Sequence, residues 1–153
     1  MKILFVCLGN ICRSPLAEAI FKKKIYQMGL GMRVFADSCG TSNYHIGDSP
    51  DPRTLRNARQ NGIDIHHVGR QIQPGDLVNH DYILAMDNSN YENILKLKNA
   101  HQYKDKIMLV RHFDPDEGLE VPDPYFGGEE GFQEVYKMLD RTLDNLILKL
   151  ELR

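Results

Sequence analysis

The chain opens on an unbroken apolar run, Ile3-Leu4-Phe5-Val6. Two comparable runs follow, Tyr82-Ile83-Leu84-Ala85-Met86 and Ile107-Met108-Leu109-Val110, and Arg33 to Ser38 is a mixed segment that also reads as a strand. Runs without a polar face mark strands covered on both sides, as in a parallel sheet. Between them the period changes to that of a helix. Ser14 to Met28 carries Ala17, Ile20, Phe21, Lys24 and Met28 on one stripe, with Ser14 near its N-cap and Pro15 near its first position. Asp51-Pro52 is a cap and first-position pair that opens a second helix, closed by Asn61-Gly62. Asp87 to Asn90 caps a third, to about Leu97. Phe132, Val135, Tyr136, Leu139, Leu143, Leu146, Ile147 and Leu150 share one face of a long last helix. Ile63 to Gln73 reads as irregular, and Pro74-Gly75-Asp76 as a turn. Cys39 to Gly47 is a loop whose length in a compact domain suggests binding, and His112 to Gly131 is a second long loop.

Strands alternating with helices predict one α/β domain over residues 1–153. The expected sheet is doubly wound and parallel, with four strands in the order 2-1-3-4 and helices on both faces. Ligands of such a sheet bind beyond the carboxyl ends of the strands, beside strand one. The stretch at that place is Cys7-Leu8-Gly9-Asn10-Ile11-Cys12-Arg13-Ser14. Gly9 takes positive φ without penalty, and Asn10 tolerates it better than most residues. A loop bent that way turns successive N–H groups inward at a helix N-terminus, which makes an anion site.

Arg13 sharpens the picture. A cation at a helix N-terminus opposes the dipole, at a cost of up to ~1 kcal/mol. It makes sense where a bound dianion takes two parallel hydrogen bonds from the guanidinium. Cys7, at the other end of the loop, then faces conditions that favour thiolate over thiol. A thiolate facing a bound phosphate is an activated nucleophile. Spacing alone is weak support for this Cys-x5-Arg pattern; the apolar strand before it and the Ser-Pro helix start after it carry the weight. Expelling an alkoxide or phenoxide from a phosphate ester also needs a proton donor. Three Asp-Pro pairs offer one. Asp51 is better spent as a cap, while Asp114 and Asp123 both follow the fourth strand, at the correct end of the sheet. The prolines at 122 and 124 favour Asp123 only modestly. Asp114-Pro115-Asp116 reads as an ordinary turn.

Composition narrows the setting. A net charge of −2 gives no reason to expect nucleic acid. Lys22-Lys23-Lys24 reads as a solvated helix face. Three cysteines make no disulfide framework and suggest a reduced, cytoplasmic protein. The N-terminal apolar run is too short to span a membrane. Six histidines and three cysteines show no metal spacing, so no metal or cofactor is expected.

From Val6 to Ser14 the sequence resembles the signature loop of the low-molecular-weight protein tyrosine phosphatases. The likeness recurs at Asp37-Ser38, Ser49-Pro50-Asp51-Pro52-Arg53, Arg70-Gln71, Asp81 to Asn90 and Val121-Pro122-Asp123-Pro124-Tyr125-Phe126. It implies a flavodoxin-like fold and hydrolysis of phosphotyrosine and aryl phosphates through a phosphocysteine intermediate. It selects Asp123 as general acid, since only Asp123-Pro124-Tyr125 fits the family's Asp-Pro-aromatic motif. It gives Asn10, Ser14, Ser38 and His67 the task of holding the loop in shape, with Ser14 also bonding the Cys7 sulfur. Tyr44, Tyr125 and Phe126 are expected to wall the pocket, and Leu8 and Ile11 to floor it. The family often has Trp where Tyr44 stands. Cys12 is a candidate resolving thiol for oxidised Cys7. The expected partner is a phosphotyrosine-containing protein; bacterial relatives often serve tyrosine autokinases, an analogy only.

Rival readings are an arsenate reductase, a phosphoarginine phosphatase and a non-catalytic phosphate-binding module. The first needs a cysteine pair after the third helix, and the last cysteine here is Cys39. In the second, Ile11 is typically threonine. The third has no use for both a nucleophile and an acid.

Overall fold

A computed structural model describes residues 1–150. Strands β1 (Lys2–Cys7), β2 (Phe35–Gly40), β3 (Tyr82–Ala85) and β4 (Ile107–Leu109) form one parallel sheet in the order β2-β1-β3-β4, as the alternation predicts. Helices α1 (Arg13–Gln27), α2 (Pro52–Gln60), α3 (Pro74–Asn79), α4 (Asn88–Leu95) and α5 (Glu129–Lys149) surround it. Among the described residues no helix is long and apolar enough to cross a membrane.

The alternation along β1 builds two cores. Ile3, Phe5 and Cys7 face α1 and α5, where they meet Ala17, Ile20, Phe21, Leu139, Leu143 and Leu146. Leu4 and Val6 face α3 and α4, with Leu77, Ile83, Ala85 and Ile94. Ile3 through Val6 are fully buried, which is why that run shows no polar face. Each such side chain contributes roughly 1.5–3 kcal/mol. Phe5 meets Phe21 edge-on, with ring centroids 5.8 Å apart. Lys24 leaves the α1 stripe to pair with Asp140 and Asp144 of α5, at 2.8 and 2.7 Å.

Several local expectations are corrected. α1 begins at Arg13, its N-cap position is Cys12, and no side chain caps it; the Ser14 hydroxyl is drawn to the Cys7 sulfur instead. Ile25 is buried and completes the stripe, whereas Met28 ends the helix 43% exposed. β2 starts and ends two residues later than expected, because Val6 and Cys7 offer ladder partners to Cys39 and Gly40. Gly40 therefore belongs to the strand, and a β-carbon there would lie 2.6 Å from the Leu8 carbonyl oxygen. Met86 and Val110 lie just past β3 and β4, both fully buried. The 74–76 turn is the start of α3, where Pro74 takes the first position and Gln73 and Asp76 cap each other. Asp51 does cap α2, accepting from Arg53 N at 2.8 Å.

Asp114 is no ordinary turn residue. Its side chain is wholly buried and takes Arg111 at 2.8 Å and Arg141 at 3.0 Å. Burial alone would raise its pKa, but those hydrogen bonds and the Asp116 N–H hold it below the usual carboxylate range. The pair ties the loop after β4 to α5.

Candidate active site

β1 delivers Cys7 to the carboxyl edge of the sheet, and the chain turns at once. Asn10, not Gly9, takes the left-handed conformation, at φ 59°. Gly9 is small for another reason: a β-carbon there would sit 3.1 Å from the ring of His45. The turn brings Asn10 N–H to 3.2 Å from the Cys7 sulfur, and the Ser14 hydroxyl to 3.0 Å from it.

The Asn10 side chain is the hub behind the loop. Its amide nitrogen donates to Ser14 Oγ at 2.8 Å and Ser38 Oγ at 3.1 Å. Its oxygen accepts from Arg70 N at 3.0 Å and lies 2.6 Å from His67 Nε2. That oxygen only accepts, so His67 Nε2 carries the proton. The Ser38 hydroxyl donates a hydrogen bond to Glu18 at 2.7 Å, and His67 Nδ1 lies 3.4 Å from the same carboxylate oxygen. Burial pushes the His67 imidazolium down, against the pull of Glu18. Lys22 neutralises the outer oxygen of Glu18. Glu18, Asp37 and His67 bring three possible metal-ligand atoms within 4.8 Å of one another. Lys22 and Arg70 already balance the two carboxylates, so the set is complete without a cation.

At the far end of the loop, Arg13 is 3% exposed. One terminal nitrogen donates to Asp87 at 2.6 Å and to the Val121 carbonyl at 3.0 Å. The other lies 3.7 Å from Asp123. Asp123 also accepts from Tyr125 N at 3.0 Å, which turns its second oxygen toward Arg13. Cys7, Leu8, Ile11, Cys12, Arg13 and Asp123 line one cavity of about 240 Å³, walled by Tyr44, Tyr125 and Phe126. Arg53 braces that wall, its guanidinium 5.2 Å from the Tyr125 ring and 4.9 Å from that of Phe132. Cys7, Cys12 and Cys39 are all free thiols; burial pushes that of Cys12 up to about 12.

Every site residue expected from the sequence is thus in one place, either on the cavity or in the network behind it. Sequence reasoning gave no role to Glu18, His45, Arg53 and Arg70, and made Asp87 only a helix cap. Glu18 had a readable signal, since it stands one helical turn after Ser14 on the same face. His45 lines the cavity with its Nδ1 held 3.0 Å from Asp48, and nothing in its spacing announces that.

The molecule is a doubly wound α/β protein whose cleft opens beside β1, where the strand order reverses. Residues 2–153 match the family model described as low molecular weight phosphotyrosine protein phosphatase. The enzyme of that name from Schizosaccharomyces pombe is 45% identical over 141 residues, covering 91% of this chain and 90% of its own. That of Homo sapiens is 42% identical over 140 residues, covering 91% and 89%. A crystal structure of a protein tyrosine phosphatase from Entamoeba histolytica, with Hepes in the active site, matches with a TM-score of 0.93. It is 45% identical and covers 99% of this chain and 97% of its own. The chain belongs to the low molecular weight phosphotyrosine protein phosphatase family.

Proposed function

We propose that this protein hydrolyses phosphotyrosine in proteins, and small aryl phosphates, through a phosphocysteine intermediate. The observation that carries the reading is convergence. The Cys7 sulfur, the Arg13 guanidinium and the Asp123 carboxylate meet in a single cavity with aromatic walls. Cys7 attacks phosphorus as the thiolate. Arg13 and the loop N–H groups hold the equatorial oxygens, the main electrostatic contribution. Asp123 gives its proton to the leaving phenoxide, then takes one from the water that cleaves the phosphorus–sulfur bond. Ser14 donates to the sulfur as it leaves. Tyr44, Tyr125 and Phe126 hold the substrate ring, Leu8 and Ile11 floor the pocket, and Ser38 and His67 support the loop through Asn10. The productive form has Cys7 ionised and Asp123 protonated.

The whole of residues 1–153 serves as one phosphatase domain, working in the cytoplasm without cofactor; a tyrosine autokinase is the candidate physiological substrate. The test sets phosphotyrosine, phosphoserine and phosphoarginine peptides side by side, with wild type, Cys7→Ser and Asp123→Ala. The expected result is turnover of the phosphotyrosine peptide by wild type, none by Cys7→Ser, and little by Asp123→Ala. A preference for phosphoarginine, or turnover that survives loss of the Cys7 sulfur, overturns the reading.

A further inference from the structure

The N-terminus of α4 touches the octet at both of its ends. Asp87 caps that helix through one oxygen, which accepts Asn90 N–H at 2.8 Å, and holds Arg13 through the other at 2.6 Å. Asn90, the third residue of α4, is 1% exposed. Its side-chain amide lies between Asp87 and the N–H of Leu8. Donor and acceptor chemistry fixes which way that amide points. With nitrogen toward Asp87 Oδ1 at 3.0 Å and oxygen toward Leu8 N at 3.3 Å, each group meets its complement. The reverse would set oxygen against carboxylate and NH₂ against N–H.

The bond to Leu8 falls on a sensitive peptide unit, the one that joins the Cys7 nucleophile to the loop. Its carbonyl, that of Cys7, accepts from Thr41 N at 2.9 Å. Its N–H goes to Asn90. The unit is held from both sides and cannot rotate without breaking one of these bonds. The same carboxylate that orients Arg13 orients Asn90, so the two ends of the octet share one anchor.

We propose that Asn90 is a positioning residue for phosphate capture: bridging Asp87 and the Leu8 N–H, it locks the Cys7 end of the loop in register with Arg13. The proposal rests on the octet being the oxyanion cradle of the reaction described above. A residue that served only to cap α4 would alter stability alone. A residue that sets the cradle alters how tightly a phosphate is held.

The experiment measures inhibition by inorganic orthophosphate and kcat/KM for an aryl phosphate, with Asn90→Ala and Asn90→Asp. Losing the buried bridge, and with it the bond to Leu8 N–H, should weaken orthophosphate about tenfold in Asn90→Ala, with kcat/KM falling in step. Asn90→Asp keeps the acceptor for Leu8 but sets a second carboxylate against Asp87. Protonated, that carboxyl donates and accepts as the amide does. Phosphate binding should therefore approach wild type in acid and fall away as pH rises, adding a step that the wild-type profile lacks. This second variant is nearly isosteric and decides the matter if Asn90→Ala does not fold. Orthophosphate inhibition equal to wild type in Asn90→Ala, or an Asn90→Asp profile parallel to wild type, overturns the assignment. Wild-type enzyme that neither binds orthophosphate nor turns over the ester overturns the reading of the octet itself, and this inference with it.

Discussion

Replacing Asn10 separates two effects that usually travel together. Its side chain takes part in four hydrogen bonds, and its backbone sits at φ 59°. Ser14 and Ser38 keep other partners when the amide is removed, namely Cys7 and Glu18. Arg70 N–H loses its acceptor, while His67 Nε2–H falls back on Ser38 Oγ, 3.3 Å away. One orphaned donor predicts a loss of roughly 1–3 kcal/mol for Asn10→Gly. Asn10→Ala loses the same bonds and adds strain, since a β-carbon in the left-handed region costs ~1–2 kcal/mol. The greater freedom of unfolded glycine returns ~0.5–1 kcal/mol of that difference. The glycine variant should therefore be the more stable of the two by about 0.5–1 kcal/mol, reversing the usual order of these residues in a helix or strand. For a chain of this size that is about 1–4 °C in Tm. Urea unfolding of both variants gives the comparison directly. An alanine variant equal to or above the glycine variant would refute the argument from backbone strain, and a loss under about 1 kcal/mol in both would refute the argument from the orphaned donor.

Four further outcomes are expected. Asp123→Ala should slow formation of the phosphocysteine from phenyl phosphate by about 10²–10⁴-fold but spare its formation from a nitrophenyl ester, whose leaving group needs no proton, read as the pre-steady-state burst of nitrophenol; equal losses of that first step on both would remove Asp123 as the acid. Arg13→Lys keeps the charge but not the planar fork, and kcat/KM should drop by about 10²–10³-fold, read by steady-state kinetics. Asp114→Asn breaks a buried pair and should cost roughly 3–5 kcal/mol near neutral pH. Because folding holds the Asp114 carboxyl below its ordinary value, its contribution is full above the ordinary carboxylate range and is lost as pH falls through the lowered value; the gap to wild type in urea unfolding should narrow in strong acid. After peroxide, condensation of a Cys7 sulfenic acid with the Cys12 thiol, releasing water, should leave wild type recoverable by a dithiol and Cys12→Ser irreversibly inactive. Cys7 passing straight to sulfinic acid in wild type, seen by mass spectrometry, would end that idea.

The sheet was legible because its strands are buried on both faces. Ile3 to Val6 must be apolar at every position, and that pattern admits few other readings. Asp51-Pro52 was legible because a cap and the residue after it act locally. β2 was misplaced because its end is set by pairing with Val6 and Cys7, which sequence proximity does not encode. Asp114 was misread for the same reason: its partner Arg141 stands 27 positions away. At the site, Cys7 and Arg13 announce themselves by spacing and context. The groups that hold them do not. Asp87 reads as a helix cap, which it is, and its second bond to Arg13 appears only when strand β3 is laid beside β1. The choice of Asp123 over Asp114 came from family resemblance, and the structure places Asp123 on the cavity while Asp114 is spent on Arg111 and Arg141.

Gly40 contributes no side-chain group to this enzyme, and the Cys7–Ser14 loop lies where a side chain would be. The Leu8 carbonyl oxygen rests 2.6 Å from the point a methyl carbon would occupy, with Gly9 C at 3.1 Å. One added methyl would push the loop away from its own strand while every titrating residue stayed in the sequence. Such an allele would look mild to anyone scanning for lost nucleophiles or acids, yet it would misplace the sulfur. Tolerance to mutation in this molecule is therefore narrow at a position that an inventory of reactive side chains passes over.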